Sequence, residues 1–221
     1  MLRRMASLLE LFLPSACCGC GRLGGILCSS CRDGFRPASD DRHRFLASDP
    51  GVAVGDALVL AVAAFAHEGP LREALERLKY AGASRVAAPI AESTLPVLHT
   101  LLAISGPATL VPVPIHPERL RQRGYNQAQL IAAALAAATG LVADELLIRA
   151  RDTTKQHRLD RAARLRNLQE AFAPAPGLPR SGPVIVVDDI LTTSATVEAC
   201  ARVLTEARIG PVYAFVVARE I

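Results

Sequence analysis

Val184-Ile185-Val186-Val187-Asp188-Asp189-Ile190-Leu191-Thr192-Thr193-Ser194-Ala195-Thr196 is the stretch on which the reading of this chain turns. Pro183 followed by four β-prone apolar residues reads as a buried strand. The run ends at two adjacent acids. Small hydroxyl residues then lead into a helix expected from about Ala195 to Ala207. In open α/β sheets, ligands bind beyond the carboxyl ends of the strands. A helix start presents N–H groups without intrahelical partners and a partial positive charge, which suits a phosphate. Small side chains let the backbone approach, and the Thr hydroxyls add donors. Two carboxylates do not suit a phosphate, but they suit a ribose diol, or a magnesium ion bridging to a pyrophosphate. Asp188 and Asp189 are therefore the candidate catalytic pair. Thr192, Thr193, Ser194, Ala195 and Thr196 are the candidate phosphate cradle. A strand end followed by a Thr cap would account for an isolated Asp-Asp, but not for the apolar, acidic and hydroxyl blocks in this order.

Working outward, Leu58 to Phe65 reads as a strand and Leu71 to Tyr80 as a helix, its apolar Leu71, Leu75 and Leu78 at helical spacing and Gly82 stopping it. A second helix is expected from about Arg85 to Ala103. Thr109 to Pro114 is a short strand ending in prolines. A long Ala/Leu helix runs from about Asn126 to Thr139, Asp144 to Ile148 is a strand, and Val212 to Val217 a final strand. Strands alternating with helices predict a mostly parallel α/β sheet covered on both faces. No internal repeat is present.

Two segments are rich in cations. Ile115-His116-Pro117-Glu118-Arg119-Leu120-Arg121-Gln122-Arg123-Gly124-Tyr125-Asn126-Gln127 follows a strand end, which sets it on the same rim as the phosphate loop. Arg119, Arg121 and Arg123 offer forked donors to phosphate, and Asn126 adjoins them; a solvated basic loop is the plainer alternative. The second segment begins Arg151-Asp152-Thr153-Thr154-Lys155-Gln156-His157-Arg158 and ends at Ala171-Phe172. It is either a solvated charged face or a mobile lid over the pocket, with Arg151, Lys155 and Gln156 as candidate ligand contacts.

These segments, with Glu68-Gly69-Pro70-Leu71-Arg72 and Leu78-Lys79-Tyr80, resemble the competence protein F (ComF)-like, or GntX-like, phosphoribosyltransferases across roughly residues 58–217. The resemblance implies a type I phosphoribosyltransferase fold that binds 5-phosphoribosyl-1-pyrophosphate (PRPP) with magnesium. It also implies that residues 115–127 form the pyrophosphate loop, that 151–169 form the loop closing over substrate, and that the protein is linked to DNA uptake in competence. One position departs: the family has Gly or another very small residue where Ser194 stands. A requirement for positive φ there would strain a Ser. Lys79-Tyr80 matches a family motif, yet a cation at a helix C-terminus is an equally good account of Lys79.

Of six cysteines, five lie between Cys17 and Cys31. Cys17-x-x-Cys20 and Cys28-x-x-Cys31 suit a tetrahedral zinc ion, and the ComF-like family has a similar N-terminal zinc finger. Cys18 could replace Cys17, but would leave a tighter Cys-x-Cys pair, so Cys17 is preferred. A closed four-thiolate site is structural. Cys200 reads as a buried helix residue.

Composition sets the remaining bounds. The chain has 221 residues, is 51% hydrophobic, lacks Trp and carries a formal charge of +4. The core must be aliphatic, and the charge alone does not argue for nucleic acid. No apolar run approaches the roughly 20 residues of a bilayer span. Leu8 to Leu13, interrupted by Glu10, reads as an amphipathic helix rather than an export signal. The expected organisation is an N-terminal helix and four-cysteine zinc knuckle over 1–36, a linker over 37–55 and a phosphoribosyltransferase-like domain over 56–221, in the cytoplasm. The expected function is phosphoribosyl (pentosyl) transfer from PRPP. The alternative is a non-catalytic binder of single-stranded DNA or nucleotide, partnered with DNA-uptake machinery and using the same pocket and knuckle.

Overall fold

The computed structural model describes residues 15–38, 44–45, 57–80, 82–149, 171–177 and 182–220. Its strands are β1 (Arg44–Phe45), β2 (Leu60–Ala66), β3 (Thr109–Pro112), β4 (Leu147–Arg149), β5 (Phe172–Pro174), β6 (Val184–Leu191) and β7 (Val212–Arg219). Its helices are α1 (Ser29–Asp33), α2 (Gly69–Tyr80), α3 (Ala87–Ser105, entered through a 3-10 turn at Ser84–Val86), α4 (Pro117–Arg123), α5 (Gln127–Thr139) and α6 (Ala195–Glu206).

Five strands form the main sheet in the order β1-β2-β7-β6-β3. All neighbours are parallel except β1, which runs antiparallel to β2 with Arg44 opposite Val62. This is the mostly parallel sheet flanked by helices that the alternating pattern predicts. The strand of the phosphate segment lies between β7 and β3, pairing Val184 with Val212 and Thr109. It is longer than four apolar residues suggest. Pairing of Asp188 with Val216 and Leu191 with Arg219 carries it past both acids.

The pleat sends alternate residues to opposite cores. Ile185 and Val187 face a layer built by α2, α3 and α5, with Leu71, Leu75, Leu78, Ile90, Leu98, Ile131 and Leu135 buried there. Val184 and Val186 face a layer in which Val197, Cys200 and Leu204 of α6 meet Leu147 and Phe172. Ser84–Ser105 is long and apolar enough, by length and composition, to cross a membrane. Here its Ile90, Leu98 and Leu101 are buried in the first layer.

Three local features differ from the sequence expectations. The arginine-rich segment is largely helical. His116 caps α4 by accepting the Glu118 N–H at Nδ1 (3.2 Å), Pro117 occupies its first turn, and Gly124 ends it at φ 82°. The strand expected over Asp144 to Ile148 is not in the main sheet. As β4, it pairs antiparallel with β5 in a separate two-stranded ribbon, Arg149 opposite Phe172. Within 37–55, Arg44–Phe45 adds an edge strand; the rest of that segment from residue 39, and the N-terminal helix, fall outside the described residues.

Candidate functional site

The carboxyl end of β6 brings the two acids to the start of α6. Ser194 sits at φ −65°, ψ −7°, ordinary helical backbone that a Ser adopts without strain, so the requirement for positive φ does not arise. Its carbonyl accepts the first helical bond, from the Glu198 N–H at 2.9 Å. The amides just after Ser194 therefore have no partner within the helix. Ser194 is buried, Thr192 and Thr193 are exposed, and Ala195 and Thr196 are half-buried.

Asp189 is only 3% exposed. Its Oδ2 lies 2.8 Å from Nζ of Lys79, itself largely buried in the last turn of α2. Oδ1 lies 3.5 Å from Nε2 of Gln127. Asp188 accepts the main-chain N–H of Asp189 at 2.9 Å. Burial, and then the adjoining Asp189 charge, push the Asp188 carboxyl well above the usual range. Burial also pushes the Cys200 thiol up; the nearby Asp188 charge adds to this, and Arg149 partly offsets it. Arg149 ends β4 with its guanidinium 5.4 Å from the centre of the Phe172 ring.

The last turn of α2 organises the facing rim. Tyr125 donates its hydroxyl to the Leu78 carbonyl (2.5 Å). Arg123 stands 5.5 Å over the Tyr80 ring and bonds Gln127 at 2.5 Å. Asn126 is committed to structure: it caps α5 by accepting the Ala128 N–H (3.1 Å) and donates to the Val113 carbonyl (2.9 Å). Arg119 and Arg121 are exposed on α4. Arg151, Lys155 and Gln156 lie outside the described residues. Sequence reasoning left Lys79 out of the candidate site; its family-like motif was a signal, but a helix-terminal cation explained it equally well. Arg149 carried no signal.

The N-terminal thiols converge as their spacing predicts. Sγ atoms of Cys17, Cys20, Cys28 and Cys31 all lie within 4.8 Å of one another, with Cys17–Cys28 at 3.6, Cys17–Cys31 at 3.7 and Cys20–Cys28 at 3.8 Å. A tetrahedral ion with Zn–S bonds of about 2.3 Å sets its ligands about 3.8 Å apart, so the four thiols fit zinc. Burial pushes the Cys17 thiol up, but main-chain N–H groups of Cys28, Cys20 and Gly19 outweigh this and bring it down to about 6. Burial and then the neighbouring thiols push Cys31 up. Cys18 points away into the apolar layer, burial raising its thiol, which resolves the choice in favour of Cys17.

The knuckle rests on α2. A Cβ on Gly19 would lie 2.7 Å from Cys31 Sγ and 3.1 Å from Pro70 Cβ. Arg77 donates to the Cys17 carbonyl at 3.3 Å. Arg36 pairs with Glu68, and the rings of Phe35 and Phe65 meet edge to face at 5.3 Å.

Purified protein should carry zinc close to one per chain; Cys18→Ser should keep it, whereas Cys17→Ser and Gly19→Ala should lose it by elemental analysis. For Asp188, a raised folded value means that the folded state holds the proton more tightly than the unfolded chain. Its contribution to stability is present below the ordinary carboxylate range and is lost as pH rises through the raised value. Asp188→Asn should therefore gain stability over the parent as pH rises above the ordinary carboxylate range in urea denaturation; a constant difference would contradict the burial argument.

No family model matches the chain. It is 34% identical over 142 residues to the DNA utilization protein YhgH of Salmonella typhi, and 34% identical over 140 residues to that of Escherichia coli (strain K12). In both cases the alignment covers 61% of this chain and 61% of the relative, so the chain spans about 61% of the length of the relatives it matches. Among solved structures it is similar to an adenine phosphoribosyltransferase (15% identity, TM-score 0.40, covering 67% of this chain and 75% of that one). It is also similar to the adenine phosphoribosyltransferase from Thermoanaerobacter pseudethanolicus (14%, TM-score 0.37, covering 67% and 86%). The resemblance to the ComF-like family is thus borne out: this chain is similar to the DNA utilization proteins YhgH, and its N-terminal cluster of four cysteines fits a zinc knuckle.

Proposed function

We propose that this chain binds PRPP at the exit of β6 and transfers its phosphoribosyl group. The observation that carries this reading is a buried, ion-paired carboxylate, Asp189, at the carboxyl end of a parallel strand and directly ahead of a helix start. The 5-phosphate would rest on the main-chain amides of Thr192 to Thr196, and the ribose hydroxyls would bond to Asp188 and Asp189. Arg119, Arg121 and Arg123 would face the pyrophosphate, with Asn126 holding the start of α5 beneath them. Arg151, Lys155 and Gln156 would approach from the segment that the β4–β5 ribbon carries. Asp189 is engaged by Lys79 and Asp188 is desolvated, so neither is arranged as a ready dication ligand. Magnesium would enter as the counter-ion of the ligand's diphosphate.

Catalysis in this reading is positional and electrostatic: the site fixes the ribose and stabilises charge on the departing pyrophosphate. The division at residues 36 and 56 belongs to the same proposal, with a structural knuckle ahead of a transferase domain. So does a cytoplasmic location, where the thiols stay reduced. Calorimetric titration of PRPP with magnesium should give saturable binding, and Asp189→Asn should weaken it by about 1.5–3 kcal/mol, as expected for a hydrogen bond to a charged group. Pyrophosphate release should then appear with one acceptor class from a panel of bases and amines. A parent protein that gives no saturable PRPP signal would overturn the reading.

A second reading, a surface for single-stranded nucleic acid, is favoured by Tyr80. This residue is 81% exposed, lies beneath Arg123 and adjoins the helix bearing the exposed Arg119 and Arg121. Tyr125, the aromatic within the basic segment, instead turns its hydroxyl to α2. The names of the YhgH relatives speak of DNA utilization. If DNA binds here, Tyr80→Ala should weaken oligothymidine binding by about 1–3 kcal/mol, and the parent affinity should fall steeply with salt. An affinity indifferent to both changes would dismiss this surface.

A further inference from the structure

The candidate pocket contains a conflict. Two adjacent carboxylates stand where the proposed ligand brings several negative phosphate charges. Unrelieved, the acids would repel the anion they are meant to hold. Burial aggravates the conflict, because like charges interact more strongly away from water, and Asp189 is almost wholly removed from solvent. The structure places one ammonium against this pair, at the closest approach that an ion pair makes. Lys79 Nζ is 2.8 Å from Asp189 Oδ2, with the two side chains 20% and 5% exposed.

Resting on the PRPP-binding reading, we propose that Lys79 is a positioning residue of the ligand site. Its ammonium neutralises Asp189, fixes the rotamer of that carboxylate, and leaves Oδ1 turned out as the acceptor for a sugar hydroxyl. Oδ1 has the long 3.5 Å approach of Gln127 Nε2, a contact at the weak limit of hydrogen-bond geometry, and the Asp188 carboxyl adjoins the same side chain. Oδ2 is held by the lysine. With one carboxylate paired, the pocket presents far less negative charge to a polyanion. Lys79 is itself held in place. The neighbouring Leu78 carbonyl receives the Tyr125 hydroxyl, and the ring of the following residue, Tyr80, lies under Arg123. The ammonium therefore does not reach the acid by chance from a frayed helix end.

A lysine that only stabilised the fold would predict a different result from one acting through Asp189. The experiment is calorimetric titration of PRPP with magnesium into the full zinc-loaded chain, for the parent, Lys79→Met, Lys79→Arg, Asp189→Asn and the Lys79→Met/Asp189→Asn double variant. Lys79→Met should weaken binding about 10-fold to 100-fold, the loss of a charge-assisted hydrogen bond. Lys79→Arg should recover a substantial part of that loss. The double variant should bind little worse than Asp189→Asn alone, because the lysine then has no carboxylate to act on. Should Lys79→Met fail to fold by circular dichroism, Lys79→Gln reads the same contact.

A parent that does not bind PRPP would overturn the functional reading and this inference with it. A parent that binds while Lys79→Met stays within about twofold, or losses that simply add in the double variant, would overturn this inference alone.

Discussion

Three consecutive residues at the end of α2 each grip a different part of the molecule, and the candidate site takes its shape from that turn. The Leu78 carbonyl holds Tyr125, the Lys79 ammonium holds Asp189, and the Tyr80 ring lies under Arg123. The phosphate strand, the basic helix and the start of α5 thereby share one anchor. The other end of α2 meets the cysteine knuckle through Pro70, packed beside Gly19. A 12-residue helix is a rod about 18 Å long. The cysteine knuckle and the acid paired with Lys79 thus lean on one rigid element, the knuckle through Pro70 in its first turn and Arg77 in its last, with Leu71, Leu75 and Leu78 fully buried along it.

The electrostatics of the pocket are those of restrained acidity. Asp188 is pushed toward its neutral form by burial and by its neighbour, while Asp189 is paired with a cation. Neither acid carries a full unscreened charge, yet both keep oxygen atoms able to accept hydrogen bonds. That combination suits a ligand with hydroxyls on one side and phosphates on the other. It also explains how two acids are tolerated next to a helix start whose amides favour anions.

Much of this was legible in the sequence because it is local. The apolar run from Val184, the small residues before Ala195 and the alternation of strands with helices are short-range patterns, and they pointed to the parallel sheet and the order of its parts. The thiol spacing likewise marked its own cluster. What escaped was carried by distant partners. β6 extends through Asp188 and Asp189 because β7 offers main-chain partners as far as Arg219, and polar residues at a strand end look like a loop until that neighbour is known. Lys79 reaches an acid far along the chain. The helix at Pro117–Arg123 is a different case: a capping side chain, a first-turn Pro and a terminating Gly124 are all present, but the density of arginines reads as loop. A strand as short as β5 carries too few residues for any period to register, and the expected strand near Ile148 gave no sign that its partner would be β5 rather than the main sheet.

The ribbon has a consequence for how the molecule can vary. Arg149 and Phe172 are directly opposed across β4 and β5, and the guanidinium of one covers the ring of the other. The chain thus leaves and re-enters the described body through a single narrow gate. Residues can be added to or removed from the stretch beyond that gate without transmitting a shift to the parallel strands, since no register of the main sheet passes through it. Length in that stretch is thereby uncoupled from Asp189, Lys79 and the four thiols, which other elements hold in place.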